Sequence, residues 1–82
     1  MRIVLEIPGD HVKTTVFSWN QKYLIKLEMA MYEQTYKVSE FDVAGDEDIR
    51  KLVEDETFKA EYMERFRQMH VGLHEAMQRT EN

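Results

Sequence analysis

The amino-acid sequence predicts an α+β fold. An antiparallel meander of three to four strands over about residues 2–38 is covered on one face by two helices, a short one over about 46–54 and a long C-terminal one over about 57–79. Three observations carry this. Apolar residues recur at every second position through most of the stretch from Ile3 to Val38, the period of a half-buried strand. Beyond Thr57 the period changes: Tyr62, Phe66, Met69, Leu73 and Ala76 are spaced four and three apart, as on one face of a helix. Between the two stretches lies Gly45-Asp46-Glu47-Asp48, whose acids suit the positive end of a helix dipole.

Taken in order, Ile3, Leu5 and Ile7 alternate with Arg2, Val4 and Glu6 as a first strand, which Pro8-Gly9-Asp10 ends with turn chemistry. Residues 12–19 are rich in β-branched and aromatic types and make a second strand, followed by a tight turn at Asn20-Gln21. Residues 22–29 form a third, with Tyr23, Ile25, Leu27 and Met29 on one face. Residues 32–38 form a fourth, with Tyr32, Tyr36 and Val38 opposite Glu33, Thr35 and Lys37. The junction at Ala30-Met31 has no Gly, Asn or Asp, so a single bent strand is the alternative there. As a hairpin, it sets Lys26 and Glu28 facing Glu33 and Lys37 on a solvated outer surface. Asp46 is the expected N-cap of the short helix, with Ile49, Leu52 and Val53 as its apolar side. Asp55-Glu56-Thr57 reads as a second cap. The long helix then offers Tyr62, Phe66, Met69, Leu73 and Met77 for burial, with Met63, His70 and Met77 as an adjacent row. Glu61, Glu64, Arg65 and Arg67 lie opposite, Glu61 and Arg65 at the supporting i, i+4 spacing. Gly72, in mid-helix, suggests close approach of another backbone, with a place on the solvent side as the alternative.

Eighty-two residues are enough for one small domain, 1–82, and no linker, repeat or low-complexity tract divides them. A chain this size buries only about 60% of its unfolded surface, so its stability margin is thin. It has no cysteine, which removes disulfides and suits a reducing compartment. No stretch approaches the roughly 20 apolar residues of a membrane helix. The apolar start is broken by Glu6 and is too short for a signal-peptide core. The expected location is cytoplasmic. The net charge of −5 falls wholly in the second half, where residues 41–82 carry eleven acids against six bases. That balance repels phosphate backbones and counts against nucleic acid as a partner.

The residues point to no reaction. There is no nucleophile elbow, no Gly-x-Gly-x-x-Gly and no phosphate loop, and neither Ser18 nor Ser39 sits in a recognisable arrangement with a histidine. His70 and His74 are one helical turn apart, but Val71 and Leu73 stand where two-histidine zinc motifs carry glutamate. Counting a calcium loop from Asp46 puts Lys51 where glycine is needed and Thr57 where glutamate is needed. No catalytic residue, cofactor or metal ligand is therefore assigned, and no motif is specific enough to name a family.

What remains is surface. Phe17 and Trp19 lie at the end of the second strand, and two facings are open: away from the helices, with Leu24 and Val4 beside them, or into the core. In the first, Val12 and Val16 are buried with Ile3, Leu5 and Ile7, and the two rings form a contact surface for a partner or for stacked bases. With Met63, His70 and Met77 on the helix, Phe17 and Trp19 are the candidate interaction residues. The expectation is a non-catalytic protein–protein interaction module, a homodimer joined through the long helix or the aromatic sheet face. The alternative is a small-molecule- or metal-binding protein with a pocket under the long helix.

Overall fold

In the computed structural model, which describes residues 1–81, four antiparallel strands form one sheet in the order β1-β2-β3-β4. They are β1 (Arg2–Ile7), β2 (Lys13–Trp19), β3 (Lys22–Met29) and β4 (Tyr32–Ser39), followed by α1 (Asp46–Glu54) and α2 (Glu56–Thr80). The α+β meander is as the periodicities predict. Residues 22–38 are two strands rather than one bent strand, closed by Met29 opposite Tyr32. The turn between them places Ala30 at φ 54°. That left-handed conformation strains a residue with a Cβ and usually falls to glycine or asparagine, so alanine left the turn without a signal in the sequence. The β2–β3 turn also uses the left-handed region, at Asn20 and Gln21.

The pairing register sorts the paired strand residues onto two faces. Toward the helices lie the rows Leu5–Val16–Ile25–Tyr36 and Ile7–Thr14–Leu27–Gln34. Ile25, Leu27 and Val16 are fully buried there, against Ile49 and Val53 of α1 and Tyr62 and Phe66 of α2. Tyr36, Phe58, Tyr62 and Phe66 continue the core as a chain of edge-to-face rings, with centroids between 5.3 Å and 6.4 Å apart. That arrangement sets the positive edge of one ring against the negative face of the next.

β1 departs from strict alternation. A bulge between Ile3 and Leu5 adds one residue, so Leu5 faces the helices while Ile3 pairs with Phe17 on the opposite side. Ile3 is thus exposed, not buried with Leu5 and Ile7 as the alternation implies, and Val4 packs against the core instead of lying beside the aromatics.

A 3-10 turn at Glu40–Asp42, capped by the Ser39 hydroxyl, leads toward α1. The N-cap of α1 is Gly45 rather than Asp46, at φ 147°. That conformation is open essentially to glycine alone. Asp48 supports the start by accepting from the Ala44 N–H at 2.9 Å, which leaves Asp46 free for other partners. A single residue separates the helices: Asp55 ends α1 and caps α2, its carboxylate accepting from the Phe58 N–H at 2.8 Å.

α2 is continuous, but only its first half is covered. Tyr62 and Phe66 are buried and Met69 is half-buried, whereas Leu73 is 51% and Met77 48% exposed. The reason is geometric. His70 already lies beside Tyr32, at the β3–β4 turn where the sheet ends, so the remaining turns project past it. The expected burial of Leu73 and Met77 is therefore corrected: a face can be amphipathic without the chain supplying what covers it. At Gly72 the close approach is corrected and the solvent-side alternative holds, because a Cβ placed there would meet nothing within 4 Å.

Candidate interaction surface

The residues that stand out chemically fall into three places: a carboxylate clamp, a polar lock under α2, and the open face of the sheet.

The clamp joins the ends of β1, β3 and α1. Arg2 donates to both carboxylate oxygens of Asp46, at 3.0 and 3.3 Å, and the Tyr23 hydroxyl donates to one of them at 2.7 Å. The Arg2 guanidinium, then the Tyr23 hydroxyl, hold the Asp46 carboxyl below its ordinary range. The same carboxylate raises the Tyr23 phenol, which loses a hydrogen bond if it ionises. This is a structural device with all its partners satisfied.

The lock is built on Gln34, a buried polar residue on the helix side of β4. Its amide N–H donates to the Tyr62 carbonyl at 2.9 Å, and its amide oxygen accepts from the Tyr36 hydroxyl at 2.7 Å. Arg65 in turn donates to that hydroxyl at 3.2 Å, turning to Tyr36 instead of the expected Glu61. On the outer side of α2, Glu64 takes Arg67 at 2.7 Å. Neither the clamp nor the lock holds a nucleophile beside a base, and no buried polar side-chain atom of the described residues lacks a partner.

The rings of His70 and His74 lie with centroids 4.2 Å apart and planes tilted by 53°, and the Tyr32 hydroxyl lies 2.9 Å from Nδ1 of His70. Among the described residues, no group of three or more His, Cys, Asp or Glu side chains gathers around one point.

The open face decides between the two facings of β2. Phe17 and Trp19 point away from the helices, since Phe17 pairs with Leu24 and Trp19 with Lys22 on the side opposite Val16 and Ile25. Across the sheet runs the row Ile3–Phe17–Leu24–Lys37, and next to it Trp19–Lys22–Ser39. Trp19 is 52% exposed, Ile3 is exposed, and Phe17 and Leu24 are half-covered. Every acid on this face, Glu6, Glu28 and Glu33, lies in the rows toward the opposite end. Glu28 sits directly across from Glu33, whose charge Lys26 answers at 3.3 Å. The aromatic end thus pairs apolar surface with two lysines and no carboxylate.

Of the candidates on α2, Met63 is partly exposed near the β1–β2 loop, while His70 and Met77 mark the start and the far part of the projecting segment. They do not join Phe17 and Trp19, which lie on the other side of the sheet. Residues that sequence reasoning missed are Ile3, hidden by the bulge, and Phe41 and Met31, which are 78% and 95% exposed. The two turn residues break no pattern in the sequence, so no periodicity pointed to them.

A cleft of about 560 Å³ opens between β4 and the helices, lined mainly by apolar side chains such as Ile25, Val38, Leu52 and Phe58, with Asp48, Lys51 and Asp55 also on its wall. Among the described residues, no helix is long and apolar enough to cross a membrane. Comparison of the chain with known protein families, curated protein sequences and solved structures finds no match in any of the three.

Proposed function

We propose that this chain is a non-catalytic protein–protein interaction module that works as a homodimer in the cytoplasm. The single observation that carries the interaction part of the reading is the aromatic end of the open sheet face; the homodimer part rests on the thin stability margin of so short a chain and on the apolar surface that α2 leaves in water. Monomers rarely leave contiguous apolar surface beyond a few hundred Å² in water, and here Ile3, Phe17, Leu24 and Trp19 adjoin on one flat surface. Lys22 and Lys37 border it without acids, which suits a protein segment carrying apolar and acidic side chains. Two copies meeting through this end would bring four lysines to one contact with no carboxylate to answer them, which favours a different partner for it. The lack of cysteine supports the reducing compartment.

The test uses a photo-crosslinking amino acid at position 19 in the native host, with position 50 on the outer face of α1 as control. A discrete protein adduct specific to position 19, lost on changing Phe17 to Ala, supports the reading. Adducts to nucleic acid alone, or equal yields at both positions, would sink it.

The apolar cleft beside β4 supports a second reading, a binding site for a small apolar molecule. Leu52→Trp would fill that cleft, and unchanged binding of an apolar fluorescent probe in that variant would rule the reading out.

A further inference from the structure

The two edges of the sheet are treated differently. β1 is short, bulged between Ile3 and Leu5, and followed by Pro8, all devices that discourage pairing with another chain. β4 runs eight residues in unbroken register with β3 and carries neither a bulge nor a proline. The Glu40 N–H donates to the Gln21 carbonyl at 3.0 Å, continuing the β3 ladder. Antiparallel bonding alternates by residue, so Tyr32, Gln34, Tyr36 and Val38 bond inward. Glu33, Thr35, Lys37 and Ser39 therefore turn their N–H and C=O groups to the free edge.

We propose that a second copy of this chain adds its β4 to that edge, antiparallel, about a two-fold axis at Thr35, to make one eight-stranded sheet. This rests on the homodimer part of the reading above and gives the dimer its surface, in place of the long helix or the aromatic face. The register follows from charge. Centred on Thr35, the pairing sets Glu33 opposite the partner's Lys37 and Lys37 opposite the partner's Glu33, two favourable cross-strand pairs. A centre at Glu33 or at Lys37 would oppose like charges, and a centre at Gln34 or Tyr36 would pair neither. Lys37 makes no ion pair among the described residues, whereas Lys26 already flanks Glu33 at 3.3 Å, so Glu33 would lie between two cations. Such a contact is isologous and closes on itself, so it ends at two copies.

A second, independent feature points the same way. In this register Met31 lies alongside the partner's Ser39, at the start of the 3-10 turn that carries the partner's Phe41. The projecting part of α2, with Leu73 and Met77, leaves the sheet at the same β3–β4 turn. Apolar groups that one chain leaves in water thus converge at each end of the joined sheet.

The experiment is sedimentation equilibrium of the full chain from micromolar concentration upward, with amide hydrogen exchange on the same samples. The expected result is a dimer with slow exchange at the Thr35 and Lys37 amides. Lys37→Glu, which keeps the exposed position polar, is expected to weaken the dimer about tenfold or more by turning two attractive pairs into repulsive ones. The double variant Glu33→Lys, Lys37→Glu restores opposite pairing and is expected to recover most of the loss. A monomeric mass for the unmutated chain overturns both the pairing and the homodimer reading. A dimer that Lys37→Glu leaves unchanged, with fast exchange at Thr35, overturns the pairing alone.

Discussion

At the scale of single residues, two positions separate what this fold needs from what it tolerates. Gly45 sits at φ 147°. No side chain is comfortable there. Gly72 lies in an ordinary helical conformation with open space around it. Replacing Gly72 with alanine should therefore stabilise the chain by about 1 kcal/mol, the helix-propensity difference, read by chemical denaturation. Asp46 gives a pH dependence whose sign is fixed by its environment. Its carboxyl is held below the ordinary 3.8, first by the Arg2 hydrogen bonds and then by the Tyr23 hydroxyl. A group with a depressed folded value contributes stability that is present above its unfolded value and is lost as pH falls through the folded one. Tyr23, raised above the ordinary 10.0 by the same carboxylate, contributes below that value and loses it as pH rises further. The difference in melting temperature between the unmutated chain and Asp46→Asn should hold level through neutral pH and shrink below about pH 4. A difference that grows on acidification would mean the clamp is not what Asp46 supplies.

At the scale of elements, α2 divides at His70. Phe66 is fully buried, in ring contact with Tyr62. Phe66→Ala should therefore cost about 3–5 kcal/mol. Leu73→Ala removes a larger apolar group than a surface change usually does, yet the chain's own stability should move by no more than about 0.5 kcal/mol. Denaturant titrations at low protein concentration, where association is weakest, check both. Equal losses would mean that the projecting turns are covered within one chain. The same division marks how far the sequence was legible. The 4-3-4-3 spacing from Tyr62 to Ala76 identified the helix and the cap signal at Asp55-Glu56-Thr57 its start, because periodicity and capping are local properties of the chain; the expected bounds fall within a residue of those found. It could not say where the sheet stops beneath that helix, because sheet length is set by β3 and β4 and not by α2. On the sheet, alternation placed Tyr23, Ile25 and Leu27 on the core side, as found. It failed at Ile3, because a bulge adds one residue and transfers a side chain to the other face without changing the residue types. Phe17 and Trp19 were recognisable as aromatics, but which face they take follows from pairing with β3, a contact between strands that β2 alone does not encode.

At the scale of the whole molecule, the shape itself carries an inference. The chain measures 51 × 26 × 20 Å with a radius of gyration of 14.9 Å. A compact chain of this length is expected at about 12 Å. The excess comes from α2, whose last ten or so residues add about 15 Å of helix beyond the sheet. An isolated helical extension of that length is marginal in water, since helices shorter than about 12–15 residues gain little without packing. Its persistence here rests on propagation from the packed half, which already carries the cost of nucleation. Ending the chain at Leu73 removes residues that contribute nothing to the buried core and leaves one turn beyond His70 to limit fraying. The shortened chain should keep its cooperative unfolding transition, with a midpoint within about 4 °C of the full chain, equivalent to less than ~1 kcal/mol. Its radius should fall toward that of a compact domain by small-angle scattering. Association, in contrast, should weaken if the edge pairing proposed above holds, because Met77 lies on the segment that leaves the sheet at the end where the partner's 3-10 turn would sit. A truncated chain that loses its cooperative transition would show that the projecting segment belongs to the fold. One that melts as before but no longer pairs would assign the segment to the second copy.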